Sequence, residues 1–288
     1  MPVDAETRRA TRRGIRLMMA GMACFIVNDA IVKLVSASLP AGQLIFVRGL
    51  MASALVLLAL RRSGVPLAPR QLLRGAVPLR AALDAAATFS YLLSLFHLPL
   101  ANATAINMAS PLMITAIAVG ALGARVTWRQ VLAIVAGFAG VLLVIQPSGA
   151  GFNAWAWLCL LAALLHALRD LVTTRIAHEV PAIGITLATA LAVTAVAAAV
   201  MLVQGWQPLE ARPFALLAAA AVFLAGGYHL VIRATRAGEL ALVAPFRYSG
   251  LLLAVALGWV LWGDVPNALA WAGIVLVMGA GWYLLRHR

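Results

Sequence analysis

The sequence of 288 residues is poor in charged side chains, which make up only 11% of it. Soluble domains carry roughly 25% charged residues, because a chain folded in water needs a polar shell around its core. With 64% hydrophobic residues, this chain cannot supply such a shell. The composition therefore excludes a soluble globular protein and indicates a protein surrounded by lipid.

Cysteine is scarce, and the motifs of common enzyme classes are missing. Cys24 and Cys159 both lie in apolar segments and lack the CxxC spacing of metal and redox sites, so we interpret them as packing residues. The sequence has no HExxH, no GxSxG and no cysteine–histidine arrangement. We therefore expect no enzyme, no metal site and no cofactor. A Walker A loop (GxxxxGK followed by Ser or Thr) is also missing, which disfavours ATP-driven transport by this chain alone.

The net charge of +13 raises the question of a nucleic-acid partner. The basic residues form no stripe interleaved with aromatic side chains, and outside the N-terminus they form no dense cluster. They lie in short tracts between apolar runs, as they do in membrane proteins. We therefore expect the lipid bilayer as a partner and no nucleic acid.

Ten apolar segments follow one another along the chain. Each can cross a bilayer core of roughly 30 Å at about 1.5 Å per residue. We number them spans 1 to 10, with predicted limits 15–35, 41–60, 76–97, 102–122, 128–146, 154–175, 182–204, 213–234, 241–262 and 267–285. Turn-like sequences rich in Gly and Pro separate them. The sequence thus predicts an all-α, polytopic membrane protein with ten transmembrane helices.

The arginines are distributed unevenly between the two ends of these spans. Eighteen of them fall at one end, and Arg212 alone falls at the other; we call these the arginine-rich and the arginine-poor end. The remaining basic residues lie within spans: Lys33, Arg48 and Arg247. Basic residues concentrate on the cytoplasmic side of membrane proteins. We therefore predict a multi-pass protein of the inner membrane with both termini in the cytoplasm.

The second half of the sequence repeats features of the first half. Asp29 and Pro40 recur as Asp170 and Pro181, about 140 residues later. Because each copy contains five spans, an odd number, the second copy must enter the bilayer from the opposite side. We predict a cytoplasmic tail at 1–14 and two inverted five-helix repeats at 15–147 and 154–288, with the substrate between them.

Five stretches of sequence are distinctive: NDAIVKL at 28–34, FVRG at 46–49, LPLANATAINMASPLMITAIAVGALG at 98–123, APFRY at 244–248 and GWVLWGDVP at 258–266. Together they resemble EamA-type members of the drug/metabolite transporter superfamily, and the resemblance covers nearly the whole chain. One departure is that Ala124 and Arg125 stand where an acidic residue usually follows the fourth helix. The resemblance implies ten helices, a central cavity lined mainly by helices 1, 3, 4, 6, 8 and 9, and transport of amino acids or similar metabolites.

Several charged residues lie well inside their spans. They are Asp29, Arg48, Asp84, Asp170 and Arg247. A charge at mid-membrane costs about 2.5–3.5 kcal/mol on insertion scales, so each of them needs a partner or a watery cavity. From mirrored depths we predict two ion pairs, Asp29–Arg48 and Asp170–Arg247. Two interpretations of these pairs stay open. Either they only hold helices together, or the Arg247 guanidinium also binds a substrate carboxylate.

Asp84 follows Arg80 by four residues, so one helical face carries both. Two interpretations stay open: a local ion pair, or a titratable group that couples transport to protons. Asp84 and Arg247 join other polar side chains of the spans in one candidate site. The predicted substrate-binding residues are Asn28, Asp84, Thr88, Tyr91, Asn107, His166, Tyr228, Arg247 and Tyr248.

His166 precedes Asp170 by four residues, a spacing that also occurs in metal sites. A hydrogen-bonded histidine is the more common meaning of such a pair, and we adopt it. Pro111 and Pro245 are expected to kink their helices and to free backbone carbonyls.

The residues and the resemblance together predict a secondary active transporter of small polar metabolites. It would work by alternating access, as a monomer or a homodimer. The main hypothesis is amino acid export, and the alternative of the same class is uptake of a vitamin or a nucleoside-like metabolite. An intramembrane enzyme or a channel is the alternative of a different class.

Overall fold

The computed structural model describes residues 5–66, 69–120, 127–146, 153–177, 180–237 and 243–286. These residues are mostly helical, and no strand occurs among them. Spans 1 to 3 are Ala5–Val35, Ala41–Ser63 and Val77–His97, with a short helix, Pro69–Leu72, before span 3. Span 4 consists of Leu100–Asn107 and Ser110–Gly120, and span 5 is Trp128–Ile145. Spans 6 to 10 are Ala154–Thr173, Ala182–Gln204, Ala211–Ala237, Ala244–Tyr248 continued by Ser249–Trp262, and Ala268–Arg286.

The helices have the length and composition of membrane spans. In the described residues, nine are long and apolar enough to cross a bilayer, and a shorter apolar helix, Ala268–Leu284, is the tenth. Large apolar side chains lie on the outer surface, for example Leu202 (81% exposed) and Trp259 (64% exposed). An apolar surface of this kind is favourable in contact with lipid and unfavourable in contact with water. The predicted all-α, polytopic, ten-span protein is confirmed.

Some helix limits differ from the predicted ones. Span 1 begins at Ala5, well before the predicted start at 15, because its first residues (AETRRATRRGIR) are mostly good helix formers. The predicted end of span 4 at 122 and start of span 9 at 241 lie outside the described residues. The same holds for Ala124 and Arg125.

Proline determines several local features of the helices. Pro40 and Pro181, the pair from the repeat, occupy the residue before spans 2 and 7. Span 4 breaks just before Pro111, which has no N–H to donate to the Asn107 carbonyl four residues earlier. The Ser110 hydroxyl donates to that carbonyl instead, at 2.8 Å. The expected break at Pro111 is therefore present.

Contacts between the spans are symmetric when the two halves are exchanged. Span 1 packs on span 8 as span 6 packs on span 3, and span 1 contacts span 9 as span 6 contacts span 4. Spans 2 and 7, 4 and 9, and 5 and 10 pack on each other. This is the pattern of a twofold axis, and the five spans in each half make the second half inverted.

Spans 5 and 10 approach each other through glycine. A Cβ at Gly140 would lie 2.8 Å from the carbonyl oxygen of Gly273, and a Cβ at Gly273 would lie 2.8 Å from Val144 Cγ2. Only glycine permits such close backbone contact. This pair of helices forms a tightly packed support beside the other eight spans.

Candidate functional site

A cavity of about 390 Å³ lies between the two halves of the protein. Spans 1, 2, 3, 4, 6, 7, 8 and 9 form its wall, and the described residues of spans 5 and 10 do not line it. The structure thus adds spans 2 and 7 to the six helices that the resemblance implies. A cavity of this size accommodates a small metabolite.

All predicted site residues line this cavity. The wall includes Asn28, Asp29, Arg48, Asp84, Thr88, Tyr91, Asn107, His166, Asp170, Tyr228, Arg247 and Tyr248. Arg80 and Arg247 lie near the starts of spans 3 and 9, at the arginine-rich end, whereas Tyr91 lies deeper along span 3. The structure brings the candidate residues together; their contact with a substrate stays a prediction.

Asp29 is held by two neutral donors. The Tyr91 hydroxyl donates to Asp29 Oδ2 at 2.7 Å, and the Asn28 side-chain amide donates to Asp29 Oδ1 at 2.9 Å. Arg48 Nη1 donates to Asn28 Oδ1 at 3.2 Å. The Asn28 amide therefore stands between the guanidinium of span 2 and the carboxylate of span 1.

The predicted direct ion pair between Asp29 and Arg48 is wrong. Among the described residues, Asp29 takes part in no ion pair within 4.0 Å. The reason is that Asn28, the neighbour of Asp29, bonds to both charged groups and separates them. Arg48 is 5% exposed, and its Nε has no hydrogen-bond partner among the described residues.

Arg169 joins the other two carboxylates of the cavity. Its Nη1 lies 2.5 Å from Asp84 Oδ1, and its Nη2 and Nε lie 2.8 and 2.9 Å from Asp170 Oδ1. Arg80 lies farther from Asp84, at 3.9 Å, and donates to the hydroxyls of Thr173 and Thr189. These contacts link span 3 of the first half to spans 6 and 7 of the second.

The predicted Asp170–Arg247 ion pair is also wrong. Asp170 bonds to Arg169, its neighbour in the chain, whose long side chain reaches both carboxylates. Arg247 is exposed at the cavity and forms no ion pair with a described residue. Arg169 is not among the predicted site residues, because its position near the end of span 6 places it with the arginines of the arginine-rich end.

A second cross-half contact joins spans 4 and 6. His166 Nδ1 and Asn107 Oδ1 lie 2.9 Å apart, and the Ser110 hydroxyl donates to the Ala163 carbonyl at 3.0 Å. No group of three or more His, Cys, Asp or Glu side chains suited to a metal ion occurs among the described residues. His166 is thus a hydrogen-bonded histidine, as interpreted from the sequence.

The aromatic residues of the site differ in their exposure. Tyr228 is 41% exposed and packs edge-on against Phe25, with ring centroids 5.0 Å apart. Tyr248 is 2% exposed, and its hydroxyl donates to the Met108 carbonyl at 3.5 Å. Its ring fills the space that a side chain at Gly281 would need. Tyr228 therefore presents more surface to a ligand than Tyr248 does.

The two halves are hydrogen-bonded to each other at the arginine-poor end. The buried Gln43 side chain donates to the Gln207 carbonyl at 2.8 Å and accepts from the Gln207 N–H at 2.9 Å. The Gly42 N–H donates to Gln204 Oε1 at 2.7 Å. These bonds hold the start of span 2 against the end of span 7.

Lys33 strengthens the same end of the molecule. Its Nζ donates to the carbonyls of Leu95 and Leu98, at 2.9 and 2.6 Å, where span 3 ends and leaves carbonyls without helical partners. The ammonium group also lies 5.4 Å from the ring centroid of Trp262 in span 9. Span 1 is thereby fixed to both halves.

Comparison with known proteins supports a transport function. The model of the EamA-like transporter family matches residues 12–146 and again residues 153–286. The chain is 28% identical over 278 residues to the pseudopaline exporter CntI of Pseudomonas aeruginosa, covering 93% of this chain and 94% of that protein. It is 28% identical over 208 residues to a riboflavin transporter of Rhizobium johnstonii, covering 72% and 69% of the two chains.

Two further comparisons extend this result. The chain is 22% identical over 192 residues to an S-adenosylmethionine uptake transporter of Rickettsia prowazekii, covering 65% of this chain and 63% of that protein. A crystal structure that is 18% identical in sequence superimposes with a TM-score of 0.60 over 98% of this chain and 99% of the other, which supports the fold. Because the family model covers both halves, this chain belongs to the EamA-like transporter family.

Proposed function

We propose that this transporter exports amino acids or closely related zwitterionic metabolites, as a secondary active carrier that works by alternating access. The observation that carries the proposal is the charge of the cavity wall. Among the described residues, four arginines and three aspartates line it: Arg48, Arg80, Arg169, Arg247, Asp29, Asp84 and Asp170. The wall thus offers charges of both signs, as a ligand with one carboxylate and one ammonium group requires.

Arg247 is the guanidinium best placed to bind that carboxylate. It is exposed at the cavity and has no ion pair with a described residue. Arginine binds carboxylates through two parallel hydrogen bonds. Asp29, which also forms no ion pair with the part of the chain that the structure describes, offers a carboxylate for the amine of the same ligand. Both charges of a zwitterion thus find an opposite charge in one cavity.

The coverage of the named relatives favours export. The relative that matches over 93% of the chain is an exporter, whereas the named uptake carriers match over 72% and 65%.

Uptake of a vitamin-like metabolite is the second candidate function. It is favoured by the similarity to riboflavin and S-adenosylmethionine transporters. The cavity wall also has apolar parts, such as Phe25, Leu92 and Val193, against which a ring system could pack. A carrier of this kind would accumulate its substrate inside cells.

A comparison of intracellular metabolites tests the proposal. Cells that overproduce the transporter should retain less of one or a few amino acids than cells that produce Arg247→Ala, after equal loading with an amino acid panel. Arg62→Ala, at the exposed end of span 2, is the matched control and should behave like the parent. A panel without any difference would contradict export, and higher retention of a vitamin would support uptake.

A further inference from the structure

We infer that Asp29 is the coupling site, where a proton and the amine of the substrate compete, so that substrate leaves in exchange for protons. The inference rests on the proposed function for the identity of the substrate. The three carboxylates in the cavity differ in the groups that they contact. Asp84 and Asp170 bind Arg169 at 2.5 and 2.8 Å, whereas among the described residues Asp29 accepts hydrogen bonds only from Tyr91 and Asn28.

Neutral donors leave the Asp29 carboxylate free to change its partner. A proton or an ammonium group can bind it without breaking an ion pair. Protonation of Asp84 would instead leave the guanidinium of Arg169, whose side chain is only 18% exposed, without one of its two counter-charges, which is costly. Asp84 is 3% exposed, whereas Asp29 is partly exposed at the cavity wall. Among these carboxylates Asp29 is therefore the one suited to exchange.

The inverted repeat accounts for this asymmetry. The register that aligns Asp29 with Asp170 also aligns Asn28 with Arg169. The residue before the aspartate is thus a neutral amide in the first half and a guanidinium in the second. In the second half Arg169 forms an ion pair with Asp170. In the first half Asn28 donates a hydrogen bond to Asp29 but carries no charge. Asp170 is therefore held by an ion pair, whereas Asp29 is held by hydrogen bonds from the neutral groups of Asn28 and Tyr91.

Ionisable groups of several spans face Asp29. Arg48 on span 2 is the nearby positive charge and is connected to Asp29 through the hydrogen bonds of Asn28. Tyr91 on span 3 donates a hydrogen bond to Asp29. Further ionisable groups on the facing elements, all of which except Cys159 line the same cavity, are Arg80 and Asp84 of span 3, Cys159, His166, Arg169 and Asp170 of span 6, Tyr228 of span 8, and Arg247 and Tyr248 of span 9. Arg48 favours the ionised carboxylate, which is the form that binds an ammonium group.

Competition at one carboxylate yields exchange transport. The ionised group binds either one proton, becoming a neutral acid, or the ammonium group of one substrate molecule. Binding of either ligand excludes the other, so by linkage each lowers the affinity for the other by the same factor. The carboxylate would take up a proton at one side of the membrane and release it at the other, where substrate replaces it. Protons and substrate then move in opposite directions.

Infrared difference spectroscopy tests the proton site without any substrate. Spectra of the purified protein at neutral and acidic pH should differ by the carbonyl band of a protonated carboxylic acid. This band should be lost in Asp29→Asn and kept in Asp84→Asn. A band that persists unchanged in Asp29→Asn would overturn the inference.

A measurement on the unaltered protein covers the case in which a variant fails to fold. Dicyclohexylcarbodiimide reacts with protonated carboxylic acids in membranes, and peptide mass spectrometry locates the modified residue. We expect modification of Asp29 rather than Asp84, with protection by those amino acids that the protein transports. Modification of Asp84 with Asp29 unmodified would overturn the inference.

Transport in proteoliposomes tests the coupling. With a labelled amino acid panel, a pH gradient should drive accumulation into the acidic lumen, and Asp29→Asn should reduce this accumulation by about tenfold, within the range of coupled ligands. Glu210→Gln, exposed outside the cavity, is the control and should behave like the parent. Equal accumulation by Asp29→Asn, or movement of substrate together with protons, would overturn the coupling.

Failure of the proposed function and failure of the inference about Asp29 give different experimental results. If the parent protein transports no amino acid, the proposed function fails, while the infrared and modification experiments still decide whether Asp29 binds the proton. If the parent responds to the pH gradient and Asp29→Asn responds equally, the inference about Asp29 fails and the proposed function stands.

Discussion

Asp84 and Arg169 approach each other to 2.5 Å across the boundary between the two halves of the protein. The carboxylate belongs to span 3 and the guanidinium to span 6, and their side chains are only 4% and 18% exposed. Arg169 at the same time holds Asp170 of its own helix. This shared cation connects the repeats at the wall of the cavity.

The first prediction concerns the stability that this connection provides. Arg169→Ala removes the counter-charge of two carboxylates, one of them buried, and should lower the free energy of unfolding by about 3–5 kcal/mol. The loss is measured by denaturant unfolding in detergent. The double variant Asp84→Asn with Arg169→Gln should lose less than Arg169→Ala, since it leaves no unpaired charge at Asp84. Equal stability of Arg169→Ala and the control Arg62→Ala would refute this account.

The second prediction concerns the support formed by spans 5 and 10. Gly273→Ala places a methyl group against the backbone of Gly140 and against Val144. Overpacking of this kind costs about 1–3 kcal/mol. Gly279→Ala on the same helix meets no atom within 4 Å and should leave stability unchanged or slightly higher. Thermal unfolding of the two variants side by side checks the difference, and similar losses would speak against close packing at Gly273.

The third prediction concerns the closed arginine-poor end. Gln43→Ala removes two hydrogen bonds to Gln207, each worth about 0.5–1.5 kcal/mol, and should favour opening at this end by a factor on the order of ten. The reporter is Thr104→Cys, buried at the cavity wall, in a background without Cys24 and Cys159.

A membrane-impermeant maleimide added to intact cells should label this reporter about tenfold faster with Gln43→Ala than without it. Glu210→Ala, which removes an exposed side chain at the same end, should not change the rate. If Gln43→Ala leaves labelling at the parental rate, these hydrogen bonds do not keep the end closed.

The fourth prediction concerns orientation. The arginine distribution predicts that both termini lie in the cytoplasm and that the connection between spans 7 and 8 lies on the opposite side. A green fluorescent protein fused to the C-terminus should therefore fluoresce. Alkaline phosphatase inserted between Gly205 and Glu210 should be active, because it matures only outside the cytoplasm. The reverse pattern would invert the direction assigned to transport.

Sequence patterns were sufficient for the spans and for many polar residues of the cavity wall, although not for Arg169. Polar groups are costly to bury in lipid, so each span has to be an apolar run long enough to cross the membrane. The arginines concentrate at one end of the spans because basic residues stay on the cytoplasmic side. Both patterns can be read from the sequence alone. Because of the same cost in lipid, the rare polar residues within spans, such as Asn28 and Tyr228, collect at the cavity. The presence of these residues at the cavity could be predicted because polar groups are costly to expose to lipid; their contact with a substrate stays a prediction.

The pairing of charges could not be predicted in the same way. Depth along a helix does not determine which side a residue faces, and a long side chain such as Arg169 reaches over its own helix turn. Asn28 separates Asp29 from Arg48 by bonding to both, a role that its position in the sequence does not reveal. The repeat register did contain a useful signal, the alignment of Asn28 with Arg169.

Counterflow in proteoliposomes tests the central claim, that substrate crosses through this cavity by alternating access with Arg247 as its carboxylate partner. Vesicles preloaded with an unlabelled amino acid should transiently accumulate the labelled form from outside, with saturable rates. Arg247→Ala should lose this exchange, and Arg62→Ala should keep it. Flux that neither saturates nor responds to preloading, or undiminished exchange by Arg247→Ala, would contradict the account.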